Sequence, residues 1–112
     1  MQNLSAPSKK TVSRILNEVE FQDRLIGSSL HERAGAMPIS LYSFEEVFVL
    51  LNGRNPRIDF NQLETWIRNI MEDRELAARI KKVIEQEQSD RDKSLRIRDL
   101  MGLRLIQCRQ AV

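Results

Sequence analysis

Three groups of residues carry side chains able to do chemistry. His31, the only histidine, stands beside Glu32 and Arg33, a triplet with the parts of an acid or base. Proton transfer needs a partner held in place, and the breakers Gly27, Gly35 and Pro38 around the triplet supply none, so a solvated histidine is expected. Cys108, the only cysteine, has Arg104 one helical turn before it and Arg109 next to it, cations that favour a thiolate. It also falls on an apolar helix face, where a cysteine behaves as a small buried hydrophobe, and that is the expected role. Glu72, Asp73 and Glu75 gather at a predicted helix start, where the helix dipole favours carboxylates without any metal. One cysteine and one histidine exclude a disulfide within this chain and the usual zinc sites. With no Gly-rich phosphate loop, CxxC pair or HExxH pattern, the expectation is no enzyme, no metal, no cofactor and no evident small-molecule substrate.

Binding is the better lead, and it lies in Leu95 to Cys108. At about 100° per residue, Ile97, Leu100, Met101, Leu105 and Cys108 share one helix face, while Leu95, Leu103 and Ile106 point roughly the other way. A second apolar side asks for a second neighbour, from this chain or another. Arg104 lies between Leu100, Met101, Leu105 and Cys108 on the wheel. It either snorkels from the edge of that face or forms an ion pair across a helix-helix contact. Leu95, Leu103 and Ile106, with Arg104 for orientation, are therefore the expected partner-binding residues.

The elements that position these residues read as helices. Residues 1–7 lack periodicity and are expected as a flexible tail before a single domain, 8–112. Ser8 caps a predicted helix from Lys9 to about Phe21 with Val12, Ile15, Leu16 and Val19 on one face. Residues 22–41 read as an irregular, partly looped segment, in which Ser29 and Glu32 offer one short capped turn. Ser43 with Glu46 forms a capping box before a helix over Phe44 to about Leu51, stopped by Asn52-Gly53 and Pro56. A hairpin about Asn52-Gly53 is the competing reading, disfavoured by Pro56 and by the capping box together with a hydrophobic staple of Tyr42 and Val47. Asp59 and Gln62 open a helix to about Met71 along Phe60, Leu63, Ile67 and Ile70, with Trp66 beside the stripe as a core anchor or a surface hot spot. Asp73 caps a further helix bearing Leu76, Ile80, Val83 and Ile84, and Ser89 with Asp92 caps the last. The predicted fold is all-α, a small bundle or array of about five helices.

Two stretches carry resemblances. Thr11-Val12-Ser13-Arg14-Ile15-Leu16-Asn17 resembles the recognition helix of LacI-type repressors, which implies DNA contact through this helix. Without that resemblance the same stretch reads as an amphipathic core helix with surface Thr, Ser and Asn. Residues 43–80, through the Ser-x-Glu-Glu start, Trp66-Ile67-Arg68 and Asp73-x-Glu75-Leu76-Ala77, are similar to uncharacterised small prokaryotic helical domains. That similarity implies helical packing and no activity.

Composition sets the remaining bounds. The 112 residues are 41% hydrophobic and 30% charged, suited to one modest core. No apolar run reaches the length of a membrane span and no secretory signal opens the chain, so a cytoplasmic, disulfide-free protein is expected. A net charge of +2 is too balanced to indicate nucleic acid by itself. The expected function is a non-enzymatic protein interaction module, self-associating or docking to a larger protein through its C-terminal helix. The alternative is a small nucleic-acid-binding regulator using Lys9, Lys10, Arg14, Arg96 and Arg98, whose affinity would fall steeply with salt.

Overall fold

The computed structural model describes residues 4–31, 35–53 and 57–112. Five α-helices occur among them: α1 Lys9–Leu16, α2 Phe44–Leu51, α3 Phe60–Asn69, α4 Arg74–Gln86 and α5 Asp90–Gln110. Between α1 and α2 lie a 3-10 turn, Phe21–Asp23, and two antiparallel strands, β1 Leu25–His31 and β2 Gly35–Leu41. The fold is mostly helical but not all-α, and the segment expected to be irregular is a hairpin. No helix among the described residues is long and apolar enough to cross a membrane.

The hairpin eluded the helix-oriented reading because its breakers fit strand positions. Leu25 pairs with Leu41 and Gly27 with Ile39, so these four turn one face toward the helices, where Leu25, Gly27 and Leu41 are buried. Ser28 lies opposite Pro38, and the Ser28 N–H points away from β2, donating to the Arg57 carbonyl at 2.8 Å. In an antiparallel pair both residues face inward or neither does, so the missing N–H of Pro38 leaves no gap in the ladder. Gly35, at φ +74°, begins β2 in a conformation that glycine adopts without steric cost. Ser29, proposed as a helix cap, is in β1; its partner Glu32 lies outside the described residues.

Helix starts follow the caps. Side-chain oxygens of Ser8, Ser43, Asp73 and Ser89 accept the N–H three residues on, and Asp59 accepts from Asn61 and Gln62. At α2 the Glu46 carboxylate reaches back to the Tyr42 N–H at 2.9 Å, one residue earlier than a standard capping box. Asn52-Gly53 ends α2 as a helix, which removes the competing hairpin there. α1 is shorter than expected: Asn17 is extended, and the Val19 N–H bonds to the Tyr42 carbonyl at the end of β2, so a tertiary bond overrides the helical stripe. Residues 4–7, expected as a tail, lie against the helices, with Leu4 buried in the core.

The core is continuous. Phe44, Val47, Leu63, Ile67, Met71, Leu76, Ile80, Ile97, Met101 and Cys108 are fully buried. α4 and α5 pack as neighbours, α5 also meets α1 and α2, and the hairpin rests on α2 and α3. Gly27 permits this seating: a β-carbon there would lie 3.1 Å from Leu50 Cδ2 and 3.2 Å from the Arg57 carbonyl. Gly27→Val is expected to cost about 1–3 kcal/mol through overpacking, seen as a lower urea midpoint with an unchanged m-value.

Candidate functional site

Arg104 is the most buried large polar side chain, 1% exposed. Its guanidinium has five N–H donors, and five acceptors meet it. Nε donates to Asp73 Oδ2 at 2.7 Å and Nη2 to Asp73 Oδ1 at 3.1 Å, while Nη2 also reaches Glu75 Oε1 at 3.0 Å. Nη1 donates to the Ser5 carbonyl at 2.6 Å and to Gln107 Oε1 at 2.8 Å. The Gln107 amide in turn donates to the Leu4 carbonyl at 2.8 Å, and the Ser5 N–H to both Glu75 oxygens. Arg104 therefore does not snorkel. The ion pair across a helix-helix contact is internal, joining α5 to the start of α4 and to the chain before α1. Asp73, read from sequence as a cap, serves two elements at once: Oδ1 caps α4 through the Leu76 N–H while the carboxylate grips Arg104.

The neighbouring carboxylates follow the same logic. Burial raises the Glu75 carboxyl, but the Ser5 N–H and the Arg104 charge outweigh it, and it ionises below its ordinary value of 4.5. Glu72 sits at φ +58°, in the left-handed corner between α3 and α4. Lys10 at 3.1 Å and Arg14 at 2.6 Å hold its carboxylate, while Thr11 donates to its carbonyl at 3.2 Å. Those cations, Lys10 foremost, lower its pKa. Cys108 goes the other way: burial raises its thiol and outweighs nearby Arg104, while Arg109 turns to Glu45 at 3.2 Å. His31 ends β1, and Glu32 and Arg33 lie outside the described residues.

The second apolar side of α5 divides into three environments. Leu103 is half-buried and packs against the core. Ile106 is 53% exposed. It lies one turn before Arg109, whose partner Glu45 is one turn before exposed Val49 on α2. Between these helices Gly102 lets the Phe48 ring approach; a β-carbon there would be 3.1 Å from Phe48 Cε1. Leu95 opens into a groove of about 1110 Å³ between β1, the end of α2, residues 57–60 and the first half of α5. Its apolar lining is Ile26, Leu51, Ile58, Phe60 and Leu95, and its charged lining is Arg57, Arg91, Arg98, Asp59 and Asp90. Sequence reasoning missed the groove because its walls come from segments far apart in the chain.

The basic residues expected at a nucleic acid are mostly engaged. Lys10 and Arg14 hold Glu72, Arg96 holds Glu87 at 2.8 Å, and Arg98 meets Asp99 at 2.9 Å and Asn52 at 3.5 Å. Lys9 is exposed. In the stretch resembling a recognition helix, Thr11, Val12 and Ile15 are buried. Trp66 is a core anchor, 5% exposed, with its indole N–H bonded to the Asp23 carbonyl at 2.7 Å. No protein-family model, curated protein or solved structure matches this chain.

Removing one member of a buried pair strands the other charge, so Arg104→Ala is expected to cost about 3–5 kcal/mol in urea unfolding. Glu75 adds a pH dependence. Its folded pKa lies below the unfolded value of 4.5, so its contribution is complete above 4.5 and is lost as pH falls through the folded pKa. Urea midpoints between about pH 5 and pH 3 are expected to fall less steeply for Glu75→Gln than for the parent chain. Cys108 is expected to resist iodoacetamide in the native protein and to react on addition of denaturant, as followed by mass spectrometry.

Proposed function

We propose that this chain is a non-enzymatic protein interaction module that docks through the first half of α5. The observation that carries this reading is the groove beside Leu95. It combines an apolar lining with two arginines, Arg57 and Arg91, that have no carboxylate within ion-pair distance among the described residues. An apolar centre with a polar margin that includes arginine is the usual make-up of a protein-binding patch. The engagement of Lys10, Arg14, Arg96 and Arg98 by acidic residues supports a protein partner over nucleic acid, since fewer free cations remain for phosphates.

A photo-crosslinking amino acid placed at Leu95 tests this reading in cells, with exposed Ser13 on α1 as the control position. A discrete protein adduct from position 95 and none from position 13 is expected. Equal labelling at both positions, or no adduct at 95, would overturn the reading.

A further inference from the structure

We propose that the groove receives Phe21 of a second copy of this chain, giving a reciprocal dimer; this rests on the groove being a docking site. Phe21 is 64% exposed, more than any other large apolar residue among those described except Val112. The Arg24 guanidinium lies 3.8 Å from the ring centroid, with Nη1 bonded to the Phe21 carbonyl at 2.9 Å and Nε to Ser40 Oγ at 3.2 Å. A ring fixed in this way loses little freedom on docking. Glu18, Glu20 and Asp23 flank it, and none of these carboxylates forms an ion pair among the described residues.

The groove is the complement of this knob. It is large enough for an aromatic ring, its apolar lining includes Phe60 and Leu95, and Arg57 and Arg91 stand at it without carboxylate partners among the described residues. Asp59 is held in place at the start of α3, where its Oδ1 accepts two backbone N–H groups, and offsets part of that charge. In the groove Arg98 is paired with Asp99 and Asp90 with Lys93, which leaves Arg57 and Arg91 against Asp59. Three carboxylates against one guanidinium at the knob thus face a net positive groove, opposite signs that steer two copies together.

Connectivity favours closure over open chains. Phe21 precedes the groove residue Ile26 by five positions, a span of at most about 17–18 Å. The knob therefore lies within about 18 Å of one wall of the groove. A two-fold axis between two copies can seat both Phe21 rings at once, as a closed interface requires. Each ring, already about a third covered, would add on the order of 100–150 Å² of buried aromatic surface.

Sedimentation equilibrium of the purified full chain, across a concentration series, tests the proposal. The parent chain is expected to dimerise, and Phe21→Ala to weaken the dimer at least roughly tenfold while its circular dichroism stays unchanged. Arg91→Glu and Glu20→Arg are each expected to weaken self-association, and an equimolar mixture of the two to recover dimer. A monomeric parent chain, or a Phe21→Ala dimer of undiminished strength, would overturn the proposal. A monomer that still gives the Leu95 adduct with a different protein leaves the groove as a docking site and removes only the second copy as its occupant.

Discussion

The buried guanidinium of Arg104 is the constraint on which the rest of this fold depends. A charge taken out of water is tolerable only when every donor is met, and here the acceptors come from α4, from α5 and from the chain before α1. Apolar packing between α4 and α5 tolerates sliding by part of a turn, whereas a bidentate contact at 2.7 Å and 3.1 Å does not. An apolar replacement of the whole cluster could match its stability. What the cluster provides is register, and register fixes where Leu95 and the first half of α5 face the hairpin across the groove.

The same cluster explains why residues 4–7 are ordered. Without helical periodicity, residues 4–7 have no local reason to order. Leu4 is nevertheless buried, and the Leu4 and Ser5 carbonyls and the Ser5 N–H are recognised by α4 and α5 side chains. Arg104 and this segment each complete the other, because the Ser5 carbonyl fills a donor that would otherwise be stranded in the core. Order here is inherited from tertiary bonds. Sequence periodicity is blind to such bonds.

Helix starts and core stripes were legible because caps and periodic apolar residues are local signals. Ser43, Asp59, Asp73 and Ser89 each do at the helix end what their position predicts. The hairpin was hidden because Gly27 and Pro38 look like breakers until a partner strand shows that one admits Leu50 and the other turns its nitrogen outward. Arg104 was visible as an anomaly on an apolar face, but its partners lie 29, 31 and 99 residues away. Of the second apolar side of α5, only the exposure of Ile106 and Leu95 could be read from the wheel. That Leu103 packs inward and that Leu95 opens into a groove depends on neighbours distant in sequence.

Pro38 has a further consequence for how this small sheet can grow. The open edge of β2 lacks an N–H at its midpoint, so a strand arriving from that side would forfeit a ladder bond. The Tyr42 carbonyl at the end of that edge already serves Val19. On the β1 side the backbone of Arg57 already makes a one-residue bridge at Ser28, and the groove opens there too. The sheet is polar in its capacity for extension: closed on one flank and begun on the other, it directs any extended visitor to the flank that α5 also faces.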